Sequence, residues 1–211
     1  MESILLIGGG GHCKSVIDTI IKSGLYSIYG IIDLKDNIGN TINNIKIIDS
    51  DDNLEKYFNE GVRNAFITVG SIGNPNLRIK LYDIGKKYGF NFPTIIDSSA
   101  IIAEDVLIEE GTFVGKGAII NTGCSIGKNC IINTGSIVEH ECNLGNFVHI
   151  SPGAVLCGGV NVGNLSHIGA NSTVIQYKSI GESVIIGAAS VITKNIKDSV
   201  KVYGNPGREV E

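Results

Sequence analysis

The chain has 211 residues, long enough for one domain or two small ones with a buried core. A formal net charge of −4 argues against nucleic acid as the main partner, which would favour a basic face. No apolar run reaches the roughly 18 residues of a membrane span. Five cysteines lack CxxC spacing and Met1 runs almost directly into ILLIGGGG, so a cytoplasmic protein with reduced thiols is expected.

Residues 1–93 read as alternating strands and helices. ILLIG (Ile4–Gly8) is a short apolar strand that ends in glycines. HCKSVIDTIIKSG (His12–Gly24) carries Val16, Ile17, Ile20 and Ile21 at helical spacing, with Gly24 as its C-cap. YGIID (Tyr29–Asp33) and AFITVG (Ala65–Gly70) are further strands. NPNLRIKLYDIGKKYG (Asn74–Gly89) places Leu77, Leu81 and Ile84 on one helical face. The pattern predicts a small α/β unit around a parallel sheet.

Between the first strand and helix stands Gly8-Gly9-Gly10-Gly11-His12-Cys13, the context in which backbone N–H groups and a helix dipole hold phosphate. The third glycine of GxGxxG is missing, since Cys13 stands there. Asp33 ends the second strand, where an acidic residue commonly binds a ribose hydroxyl. So short a unit holds barely one mononucleotide-binding half, which suits a mononucleotide or nucleotide-sugar better than NAD. A glycine turn that only packs strand against helix is the alternative.

From Ala100 the pattern changes. Sixteen successive hexads, AIIAED through SVITKN, carry Ile, Val or Leu at the third position without exception. The first position is small or Val in all but Lys178, and Gly recurs at the fourth. A period of six fits neither a half-buried strand nor a helix; it is the signature of a β-helix, each hexad a short strand and a turn. The third-position aliphatics then fill the interior, and fourth-position glycines permit tight corners. With three hexads to a triangular coil, residues 18 apart stack at about 4.8 Å.

Glu139, His140 and Glu141 cluster at one corner, where side chains project outward. His149 and His167 are 18 apart and stack on an outer face. A histidine so placed is ordinarily a solvated surface residue. For His140 the adjacent acids change that reading, because a carboxylate holds the imidazole in one tautomer and raises its basicity. Cys124, Cys130 and Cys142 take first positions and read as small core residues. Cys124 and Cys142 stack one coil apart.

Together these residues resemble the bacterial sugar acetyltransferases of the left-handed β-helix class, which include bacillosamine and perosamine N-acetyltransferases and sialic acid O-acetyltransferases. GGGGHCKSVIDTI is similar to the family's nucleotide-sugar loop, SIVEHECNLGNFVHISPGAVLCGGV to its catalytic stretch, and YGNPGREV to its closing tail. The resemblance implies a Rossmann-like nucleotide-sugar-binding domain over 1–93 and a left-handed parallel β-helix with a short tail over 94–211. It also implies a homotrimer with acetyl-CoA as co-substrate and no tightly bound cofactor or metal. By that likeness His140 is the catalytic base and Glu141 its orienting partner. His149 would contact the thioester end of acetyl-CoA, with Gly158, Ala170 and Ala188 lining the cofactor groove. Gly10, Gly11, His12, Asp33, Leu34 and Gly70 would hold the nucleotide-sugar. Cys13 stands where Gly or Ala is usual, and Gly207 where Ala is usual.

The expected reaction is acetylation of the amine of a nucleotide-linked amino sugar, for surface glycan biosynthesis. Backbone amides around Gly158 are candidates for the oxyanion. Polyanionic CoA would find cations at Lys178, Lys194, Lys197, Lys201 and Arg208, although most lysines serve only solubility. O-acetylation of sialic acid is the closest alternative. A zinc enzyme is the distant one, with His149 and His167 sharing an ion and a third ligand from another subunit. A non-catalytic scaffold would have no use for the Glu139–Glu141 cluster.

Overall fold

The computed structural model describes residues 1–210. They form two compact units: Met1–Gly70 with Asn76–Ser98, and Ser71–Pro75 with the chain from Ser99 onward. The division thus falls a few residues past the 93/94 boundary read from the sequence, and a short segment of the N-terminal half belongs to the second unit.

In the first unit β1 (Glu2–Ile7) leads into α1 (Gly11–Ser23), β2 (Tyr26–Ile32), β3 (Thr41–Ile42), β4 (Ile45–Asp49), α2 (Leu54–Asn59), β5 (Asn64–Ile67) and α3 (Asn76–Tyr88). The sheet order is β3-β4-β2-β1-β5, parallel except for the β3–β4 hairpin. Asn43 and Asn44 supply the two left-handed residues of that two-residue turn, a signal the sequence reading passed over. Val16, Ile17 and Ile20 are buried as expected, whereas Ile21 is exposed. On α3 the buried face is Arg78, Leu81 and Gly85, not the Leu77–Leu81–Ile84 face expected from apolar spacing. The Arg78 guanidinium is buried because it donates to the carbonyls of Ile67 (3.1 Å) and Val69 (2.6 Å), at the end of β5.

The second unit is the parallel β-helix that the period of six implies, left-handed as the family resemblance implies. Each hexad contributes a two-residue strand at its second and third positions, and the strands stack into three parallel sheets. One sheet runs through Ile101–Ile102, Ile119–Ile120 and Ile137–Val138 to Val191–Ile192. A second runs from Leu107–Ile108 to Ser179–Ile180. The third carries Phe113–Val114, Ile131–Ile132, His149–Ile150, His167–Ile168 and Ile185–Ile186, then Lys201–Tyr203 and the antiparallel Arg208–Val210. Partners are 18 apart throughout the hexads, as with His149 and His167.

Fourteen third-position aliphatics are buried, from Val114 to Ile192; Ile102 and Ile108, on the end strands of their sheets, are partly so. First-position serines enter the same core by returning their hydroxyls to backbone carbonyls, as Ser166 does to Gly181 at 2.7 Å. The glycine rule differs from the expected one. Left-handed backbone belongs to the sixth position, where Glu141, Leu165 and Tyr177 adopt φ of 61°, 65° and 56°. Fourth-position glycines are required by coil-to-coil approach instead: a Cβ on Gly169 would lie 2.5 Å from the Ile186 carbonyl oxygen. No helix among the described residues is long and apolar enough to cross a membrane.

Because the core is one stacked column, Ile168→Ala is expected to cost about 2–5 kcal/mol in chemical denaturation. Ser179→Ala, at an exposed strand position, should stay within about 0.5 kcal/mol.

Candidate active site

Two corners of the β-helix carry the sequence-predicted residues of this unit, and within one chain they do not meet. The first corner follows the strand Ile137–Val138. Glu139 turns its carboxylate inward along the backbone, accepting from the His140 N–H at 3.2 Å and from Asn121 Nδ2 at 3.1 Å. His140 Nδ1 lies 3.1 Å from Glu141 Oε2, both side chains partly open to solvent. A carboxylate only accepts, so Nδ1 carries the hydrogen and Nε2 presents its lone pair. That Nε2 rests on Gly158, one coil on, where a Cβ would fall 2.5 Å from both Nε2 and Cε1. Gly158 is therefore the seat of the imidazole.

Gly158 is buried, yet its N–H has no acceptor among the described residues. The two residues before it in the same column differ. The Thr122 N–H is satisfied by Asn121 Oδ1 at 2.9 Å, and the His140 N–H by Glu139. At Gly158 the preceding residue is Cys157, which has no carboxylate or amide oxygen to offer. The corner therefore sets an unpaired backbone N–H on the residue against which Nε2 rests.

The second corner belongs to the third sheet, where a cleft of about 610 Å³ is lined by His149, Ser151, His167, Ala170, Ala188 and Tyr203, among others. His149 and His167 are not the solvated residues expected from their outward position: they are 7% and 8% exposed. Segment Ser71–Pro75 contributes Ile72 and Gly73 to the cleft, and the Ser71 carbonyl binds His149 Nδ1. Asn133 Nδ2 sits 3.2 Å from His149 Nε2. Since the carbonyl accepts and the amide nitrogen donates, His149 is held as the Nδ1–H tautomer. The two rings meet edge to face, with centroids 4.9 Å apart. His167 Nε2 pairs with Ser151 Oγ at 3.3 Å, and burial pushes its pKa below the usual histidine range, opposed by the nearby Ser71 backbone. Among the described residues no group of three or more His, Cys, Asp or Glu is placed to hold a metal ion.

Cys124 and Cys142 lie in the core, their thiols donating to the carbonyls of Glu139 (3.0 Å) and Cys157 (3.3 Å). All five cysteines are free.

In the first unit the glycine loop joins β1 to α1, whose N-cap is Gly10 with no side-chain cap. Gly10 and Gly11 are exposed and a Cβ on either would meet nothing within 4 Å, while the Cys13 N–H is taken by the Gly10 carbonyl at 3.1 Å. Gly9, which the sequence reading did not single out, is the tight position: a Cβ there would lie 2.5 Å from Asp33 Oδ2. Asn37 Nδ2 steadies that carboxylate at 2.8 Å. Asp33 and Leu34 line a cavity of about 60 Å³ at the carboxyl ends of β1 and β2, with Asp51 and Leu77. Gly70 approaches His12, the Cβ position being 3.8 Å from His12 Cβ. Burial pushes the Cys13 thiol up to about 11, a Thr68 hydrogen bond partly opposing it, so Cys13 packs as a neutral side chain.

The fold and these corners define an acyltransferase of the hexapeptide-repeat class. Comparison with known proteins narrows this. The family model "PglD N-terminal domain" matches residues 3–84, and "Bacterial transferase hexapeptide (six repeats)" matches 105–140. A histidine-to-asparagine mutant of perosamine N-acetyltransferase from Caulobacter crescentus, solved with CoA and GDP-perosamine, is 32% identical. The match covers 100% of this chain and 98% of that one, with a TM-score of 0.94. The acetyltransferase domain of PglB from Neisseria gonorrhoeae, solved with acetyl coenzyme A, is 31% identical over 99% of each chain, with a TM-score of 0.90. WeeI from Acinetobacter baumannii shares the fold at 24% identity, 99% and 100% coverage and a TM-score of 0.86. No curated protein matches by sequence. The chain belongs to the family of bacterial sugar acetyltransferases that join a PglD-type N-terminal domain to a left-handed β-helix.

Gly158→Ala should displace the imidazole and lower kcat by about 10²-fold or more, a magnitude typical of a misplaced catalytic group. Its thermal midpoint should stay within a few degrees of wild type, since the site lies outside the core; steady-state kinetics and calorimetry check both. His167 titrates lower in the folded chain than in the unfolded one, so between the two values the unfolded chain binds the extra proton. Stability is therefore full above the unfolded value near 6.5 and declines as pH falls toward the folded value. Urea titrations should show this decline reduced in His167→Phe.

Proposed function

We propose that the enzyme transfers acetyl from acetyl-CoA to the amine of a nucleotide-linked amino sugar, with His140 as general base. The observation that carries this reading is the His140 imidazole seated on Gly158, with a carboxylate on one ring nitrogen and an open backbone N–H beside the other. The amine nitrogen attacks the thioester carbonyl, and the N–C bond forms as Nε2 takes the amine proton. Glu141 stabilises the resulting imidazolium, and the Gly158 N–H receives the oxyanion. The C–S bond then breaks, the proton passes to sulfur, and CoA leaves as the thiol.

The donor is assigned to the cleft beside Ala170 and Ala188, whose small side chains leave backbone amides within reach of a pantetheine arm. His149 contributes there through its packing, because both its ring nitrogens are already engaged. The nucleotide diphosphate is assigned to the open N-terminus of α1, with Gly10, Gly11 and His12 around it and Asp33 and Leu34 beyond. The Caulobacter enzyme's complex with CoA and GDP-perosamine supports this pairing of substrates. Separate corners for base and donor support a homotrimer, in which a threefold axis sets the His140 corner of one copy against the cleft of the next. A cytoplasmic step in surface glycan synthesis is the matching context.

His140→Gln should reduce kcat by about 10²–10⁴-fold while leaving the KM for acetyl-CoA within about threefold, as removal of a proton acceptor requires. The assay is acetyl-CoA consumption against a panel of nucleotide amino sugars. Near wild-type turnover in the folded variant would refute the base assignment.

A further inference from the structure

The corner that carries His140 holds a second ring, which the proposed reaction does not use. Tyr177 stands at the sixth position two coils beyond Glu141, and its N–H donates to the Gly158 carbonyl at 2.9 Å. That bond stacks its corner directly on Gly158–Gly159. The ring leans back over Gly159, where a Cβ would lie 2.5 Å from Cδ1 and 2.7 Å from Cε1. His140 leans forward over Gly158 from the opposite side. Two rings from different coils thus converge on one Gly-Gly pair, and Tyr177 remains 68% exposed in the single chain.

We propose that Tyr177 limits the length of the acyl group the enzyme transfers. The inference rests on the acetyl-transfer reading. With the carbonyl oxygen on the Gly158 N–H and the amine on the His140 side, the acyl chain extends away from His140, over Gly159. Each methylene added to the acyl chain then runs farther over Gly159, toward the space that the Tyr177 ring occupies. Gly159 belongs to the same device, because only a residue without a side chain lets the ring approach so closely.

The test is kcat/KM for acetyl-, propionyl- and butyryl-CoA, using the full-length enzyme and a nucleotide amino sugar that the wild type acetylates. In Tyr177→Ala the butyryl-to-acetyl ratio should rise at least about tenfold, the scale on which a pocket discriminates between chain lengths. Tyr177→Phe should keep the wild-type ratio, since the ring fills the space and not the hydroxyl. A gained activity cannot come from misfolding. An unchanged ratio in Tyr177→Ala overturns the proposal. So does loss of transfer from all three donors with a changed oligomeric state by light scattering, which makes the ring an interface residue. A wild type that acetylates no nucleotide amino sugar refutes the acetyl-transfer reading itself, and the acyl gate with it.

Discussion

Stacking of 18-residue coils is the constraint on which the rest of the catalytic unit depends. Strand residues pair in register with the residues 18 before and after them, so every side chain has neighbours dictated by arithmetic. Third positions must be aliphatic and first positions small, because both enter one continuous column. Chemistry is left only the corners and the outward strand positions. The placement of His140 on Gly158 follows from that stacking: the imidazole leans along the coil axis, and the residue one coil on either accepts it or collides with it.

This explains what the amino-acid sequence made legible. The β-helix follows from unbroken spacing, and the His140–Glu141 pair from two polar residues at a corner with no structural need for them. The importance of Gly158 follows from adding 18 to His140. The burial of His149 and His167 was not legible, because their cover includes residues 71–75, far away in the chain and not periodic. Arg78 escaped for a similar reason: its partners are backbone carbonyls at the end of β5, and carbonyls leave no trace in composition. The function of fourth-position glycines was misread because spacing does not separate a need for positive φ from a need for close approach.

The two corners also differ in how their polar groups are satisfied. In the third-sheet cleft both His149 nitrogens are engaged, and one His167 nitrogen meets Ser151. The bonds to His149 hold its ring in place, since breaking either would leave a buried polar atom unpaired, while His167 Nδ1 is buried without a partner among the described residues. At the His140 corner one ring nitrogen and the Gly158 amide stay open. The proposed base and the proposed oxyanion donor must both be free in the resting enzyme, and these two groups are unengaged among the described residues.

Placing that open site on a solenoid corner costs the fold little. The hexad around it still buries Ala154 and Leu156, so the interior column passes beneath Gly158–Gly159 unchanged. Removing side chains at a corner takes nothing from the core, whereas the same deletion at a third position would open a cavity. The Gly-Gly pair then frees space on both sides at once, admitting His140 from one neighbouring coil and Tyr177 from the other. A repeat that can lose two side chains without losing an interior contact is a scaffold on which catalytic groups and steric limits vary independently of stability.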